Sequence, residues 1–199
     1  MTLAKLGEFL EQNARLADQT KAAKGFQARA LLQSLSYPQR FSALSYWRCR
    51  EDYMTWATAP ARRAFDQINP NNGLFTAVAP QDAYEDVHEV CGAGEWGDAM
   101  VVEWTVNPGP ANTEAFEKSR KEHFELQKKE AQGFVEHKFY RAAGNPLRYL
   151  VVNRWTSREA QRAAARMPLV EEFNRAHPTT DYGVATPIAG EGYQVVRQW

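Results

Sequence analysis

The sequence predicts an α+β protein built from two ferredoxin-like repeats, each of order βαββαβ, with the first repeat lacking its opening strand. Three observations carry this. First, residues recur at one offset of 108, Gly133 against Gly25. Gly25-Phe26, Pro38, Arg40, Trp47, Arg50-Glu51, Ala57, Pro60 and Phe65 return as Gly133-Phe134, Pro146, Arg148, Trp155, Arg158-Glu159, Ala165, Pro168 and Phe173. Average composition would give roughly two or three such identities over this stretch, against the ten found. Second, β-branched and aromatic runs alternate with helix-like runs, most clearly residues 112–130, which lack Pro and Gly and are rich in Glu, Lys and Gln. Third, projecting the strand 100–106 back by 108 falls before Met1, so the first copy is expected to start at its helix. The expected boundaries are 1–91 for the first repeat, 92–98 for a linker and 99–199 for the second. Each sheet would carry its two helices on one face and pack the other against the sheet of the other copy.

In the first copy a helix over 3–20 is expected, then strands at 26–33 and 40–47, a helix at 50–67 and a strand at 83–90. Gly92-Ala-Gly-Glu-Trp-Gly-Asp98 is the linker. Met100–Val106 (MVVEWTV) is a strand ended by Asn107-Pro-Gly-Pro110. Residues 112–130 lack Pro and Gly and read as a helix with Phe116, His123 and Leu126 on one face. Phe134–Arg141 and Arg148–Trp155 are strands around the turn Gly144-Asn145-Pro146. Thr156-Ser157-Arg158-Glu159 reads as a capping box, with the Thr156 hydroxyl accepting from the helix start. The helix it opens runs to about Ala176, before Pro178, and Tyr193–Trp199 is the last strand. Tyr193 answers Tyr84 with one residue inserted.

Composition narrows the function. The 199 residues are 44% apolar and carry 24 basic against 24 acidic side chains, with a pI near 6.9. Zero net charge leaves no basic field for nucleic acid or an anionic membrane. No apolar run reaches a spanning length, and MTLAKLGEFLEQ is not patterned as a signal peptide. Cys49 and Cys91 lie far apart with no CxxC, which disfavours a disulfide framework or zinc site and fits a reducing cytoplasm.

The pattern Gly-Phe, strand, Pro-x-Arg-aromatic, strand, Trp-x-Ser/Cys-Arg-Glu, helix, small residue-Pro resembles the antibiotic biosynthesis monooxygenase family of the dimeric α/β-barrel superfamily. RYLVVNRWTSREAQRAAARMPLVEEF matches best. The resemblance implies a tandem chain forming its barrel as an intrachain pseudo-dimer. It also implies a cofactor-independent monooxygenase acting on a phenolic or quinol-type small molecule with dioxygen. Two alternatives stand beside it: a catalytically silent ligand-binding barrel, and a haem-binding or haem-degrading protein.

A phenol yields an electron to dioxygen far more readily as its anion. Such a site therefore needs a base and a polar group to orient oxygens. Polar residues set in strands are the candidates: His88, His137 and Asn153, with Arg29 and Ser45 at the places of the last two in the first copy. Glu103 and Trp104, in the strand without a counterpart, and Trp56, an unpaired aromatic, are the candidate ligand contacts. No HxH or HxxxH spacing supports a metal. The haem-degrading relatives carry a haem-binding His ten residues after the position of Trp56, where this chain has Asp66. Haem is therefore the lesser alternative. An open sheet edge in the first repeat would suit pairing with a second molecule, a homodimer.

Overall fold

The repeated Gly-Phe has a steric origin. Gly25 and Gly133 have φ of +78° and +75°, a left-handed backbone that side chains disfavour. A Cβ on Gly133 would stand 2.5 Å from Thr156 Oγ1 and 2.7 Å from Ala160, and one on Gly25 would run into the Asp52 carboxylate. Each glycine turns the chain from the first helix of its repeat into the next strand, with the second helix pressed against the turn.

The computed structural model describes residues 5–68, 83–92, 100–184 and 190–199, with backbone alone at 90 and 100–106. The predicted linker lies outside them beyond Gly92. The chain divides into two units, 1–81 with 195–199, and 82–194.

The first unit contains α1 (Leu6–Lys21), β1 (Phe26–Ser34), β2 (Phe41–Trp47), α2 (Arg50–Ala57) and α3 (Pro60–Ile68). The second contains β3 (Tyr84–Cys91), β4 (Met100–Val106), α4 (Thr113–Glu130), β5 (Phe134–Ala142), β6 (Asn145–Trp155), α5 (Arg158–Ala165) and α6 (Pro168–Ala176). It also holds the start of β7 (Gly190–Gln198). The fold is α+β, with two ferredoxin-like repeats. The first repeat contributes two strands, β1 and β2, to its own unit.

In the second unit the strands run β7-β4-β6-β5, followed by β3. Numbered within the repeat, the first four give the ferredoxin order. β3, the strand predicted to close the first copy, hydrogen-bonds to β5. The tail of β7 does the same for the first unit: Arg29 and Trp199 exchange backbone hydrogen bonds of 3.2 and 3.0 Å. β1 and β5 are repeat equivalents, so the same strand position receives an added strand in both units.

Two predicted helices are each broken in two. Residues 50–67 divide at Pro60 and 158–176 at Pro168, which start α3 and α6. A proline ring has no N–H to donate to the preceding turn and forces the residue before it to extend. Met167 accordingly sits at φ −63°, ψ 131°. The cap of α5 is also one residue later than expected. Ser157 Oγ accepts from Ala160 N–H at 3.1 Å, which leaves Thr156 to pack on Gly133.

The second unit's core lies between the sheet and its helices. Phe116 and Phe124 of α4 meet Phe134, Phe139, Tyr149, Val151 and Trp155 of the strands and Ala164 of α5. Gln127, not Leu126, shares the buried stripe of α4 with Phe116 and His123. In the first unit Phe9, Ala17, Ala30, Leu31 and Leu32 are buried. No helix among the described residues is long and apolar enough to cross a membrane.

Candidate functional site

β5 and β6 alternate, so each sends one set of residues to the helices and one to the other face. His137 and Phe139 of β5 face α4, as do Asn153 and Val151 of β6. Glu136 and Lys138 take the opposite face with Arg154. His137 and Asn153 are register partners. The imidazole is fully buried, its Nδ1 hydrogen-bonded to Asn153 Oδ1, its ring stacked on Phe124.

An amide oxygen only accepts, so Nδ1 carries the proton in this assignment and Nε2 keeps a lone pair. Nε2 is buried with no hydrogen-bond partner among the described residues. Burial holds the His137 pKa well below the ordinary histidine value, outweighing the hydrogen bond it donates to Asn153. The ring is neutral and fixed in orientation by Asn153.

α4 supplies the next layer. His123 stacks on Phe124 and on Phe173 at centroid distances of 5.6 and 5.3 Å. Its Nδ1 lies 3.2 Å from Arg120 Nη1. A guanidinium only donates, so Nδ1 accepts. Burial, then the Arg120 charge, lowers the His123 pKa to about 3. Arg120 is itself buried and donates to Ser119 Oγ at 3.2 Å. No carboxylate of the described residues pairs with it, and burial lowers its pKa. His88 of β3 stands at the margin, about a quarter exposed, its Nε2 3.6 Å from Glu125 Oε1 of α4.

The predicted catalytic residues therefore converge: His88, His137 and Asn153 all lie on the helix side of the second unit. Trp56 belongs to the first unit, packed 5.1 Å from Trp47 and 6.2 Å from Tyr53, with the Arg62 guanidinium 5.1 Å from its ring. For Glu103 and Trp104 the structure gives register alone: opposite Val152 and Glu191, and opposite Val151 and Gly190. Arg120 and its contact to His123 were not foreseen. Their spacing of three on one helix was the available signal.

The repeat equivalents form a different set. Arg29 and Ser45 are register partners. Arg29 donates to Ser45 Oγ at 3.0 Å and to Asn13 Oδ1 at 3.1 Å. Burial lowers its pKa to about 10.

Among the described residues no three His, Cys, Asp or Glu side chains group as metal ligands. Asp66, at the place of the haem-binding His of the haem-degrading relatives, is ion-paired with Arg62 and more than half exposed.

The family model described as antibiotic biosynthesis monooxygenase matches residues 4–67 and again 99–176. The chain belongs to this family.

Solved structures agree on the fold of this antibiotic biosynthesis monooxygenase-family protein. A candidate monooxygenase from Fusobacterium nucleatum superposes with a TM-score of 0.77 at 10% identity, over 99% of this chain and 88% of that one. An anthrone oxidase-like protein gives 0.71 at 17%, over 100% and 88%. A haem-degrading enzyme from Listeria monocytogenes gives 0.51 at 16%, over 91% and 92%. At such identities the likeness speaks for the fold alone. No protein of curated function matches the chain.

Proposed function

We propose that this chain is a monooxygenase that oxidises a phenolic or quinol-type small molecule with dioxygen and no bound cofactor, using His137 as its base. The observation that carries this is the neutral His137 ring, fixed by Asn153 with Nε2 unpartnered. Family membership supports the reaction class.

The chemistry balances without another reductant. Nε2 takes the phenol proton, and the phenolate adds dioxygen at a ring carbon. The peroxide anion takes the proton back from His137. Loss of that carbon's hydrogen together with hydroxide leaves a carbonyl. One oxygen atom stays in the quinone and the other departs as water, and the four electrons come from the substrate. A nearby Arg120 favours the anionic states of this sequence. The Phe124 ring covers the imidazole and has to swing aside for substrate.

Oxygen uptake on a panel of anthrones and hydroquinones tests the proposal. Turnover is expected in the wild type, falling about 10²-fold or more in His137→Ala and less in Asn153→Ala. Saturable binding of the same compounds without oxygen uptake would make the chain a ligand-binding protein instead. A haemin titration is expected to leave the Soret band unshifted, and a saturable shift would favour the haem alternative.

A further inference from the structure

β2 and β6 are the same strand of the two repeats. β6 lies between β5 and β4. β2 pairs with β1 on one side, and among the described residues no strand covers the other. The consequence shows residue by residue. Val151 and Asn153 are buried, whereas their equivalents Ala43 and Ser45 are exposed.

The free side can be assigned from the hydrogen bonds at both ends of β2. Arg40 C=O accepts from Ser34 N–H at 2.9 Å, and Arg48 N–H donates to Gly25 C=O at 2.7 Å. Even-numbered residues therefore address β1. Strand alternation turns the N–H and C=O of Phe41, Ala43, Ser45 and Trp47 outward. Edge strands are ordinarily blunted by charge, proline or a covering element. The run FSALSYW contains no charged residue and no proline.

We propose that β2 of a second copy of this chain occupies this edge, antiparallel and related by a two-fold axis. The strand is complementary to itself. Paired about Leu44, Ala43 meets Ser45 and Phe41 meets Trp47, so every outward-facing residue meets another outward-facing one. Each such pair exchanges two ladder hydrogen bonds. The flanking charges are already engaged. The Arg48 guanidinium is 2.6 Å from Asp52 Oδ2, and that of Arg40 lies 4.5 Å from the Tyr37 ring centroid. A contact of this symmetry closes at two copies, so the product is a dimer and not a fibre. The inference is independent of the proposed chemistry.

Light scattering on the eluting protein over a wide concentration range, with amide hydrogen exchange of Ala43 and Ser45, tests it. The expected result is twice the chain mass of 22.6 kDa, with both amides slowed as the dimer forms. Ala43→Pro removes one outward donor per copy and should raise the dissociation constant at least about tenfold. A chain mass at every concentration overturns the proposal, whatever the amides do. So does a dimer in which both amides exchange freely, and so does a folded Ala43→Pro variant that dimerises unchanged. Should that variant fail to fold, the exchange measurement on the wild type decides.

Discussion

His123 and His137 are buried histidines held neutral, and each makes the fold sensitive to acid. A histidine unfolded near 6.5 and folded near 3, as at His123, binds its proton more readily in the unfolded chain between those values. Stability is therefore full above about pH 6.5 and is lost as pH falls toward 3. The slope is about 1.4 kcal/mol per pH unit for each such group. His137 acts in the same direction. Urea unfolding at pH 7 and pH 5 should show the loss, and His123→Gln should remove about one histidine's share of the slope. An unchanged slope in that variant would place the acid sensitivity elsewhere. Arg120 deepens the effect, because its charge opposes protonation of both rings. Replacing it with Met should raise the acid tolerance of the histidines.

At the scale of elements, the two Gly-Phe turns and the α5 cap offer separable tests. Gly133→Ala places a Cβ into Thr156 and Ala160 on a left-handed backbone, a cost of about 1–3 kcal/mol. Ser157→Ala removes the cap at about 1 kcal/mol, or about 2–4 °C in Tm for a chain of this size. Thr156→Ala leaves the cap intact, so a larger loss there than at Ser157 would contradict the assignment. Elements were legible where one physical signal dominated. MVVEWTV was read to its ends as β4 because β-branched residues and a Pro-Gly-Pro stop coincide. The breaks at Pro60 and Pro168 are not legible from the repeat, because a proline shared by both copies marks the position and says nothing of its effect on the helix. The site was half legible. His88, His137 and Asn153 stood out as polar residues in strands. Arg120 did not, since KSRKEH looks like any solvated helix face until the sheet fixes which side is inside.

Across the whole molecule the repeats share a frame and not a site. Both place a polar register pair on the helix side of the sheet, His137 with Asn153 in one and Arg29 with Ser45 in the other, and of these four only Ser45 is exposed. Only the first pair includes a base that is neutral at pH 7. Equilibrium dialysis or calorimetry should therefore find one equivalent of phenolic ligand per chain. Binding should be lost in His137→Ala and kept in Arg29→Met, and two equivalents would show that both repeats bind. Buried charges without a carboxylate are costly, so Arg29→Met is expected to leave stability equal or higher in thermal unfolding.

β7 carries a consequence for synthesis. Its last residues, Val195–Trp199, count with the first unit and bond to β1, yet the ribosome makes them after every other described element. The second unit's β4, β5 and β6 come out before the first unit's third strand exists. At about 5–20 residues per second, β1 waits on the order of ten seconds with that flank open. Of the two units, the one begun first is therefore the one completed last.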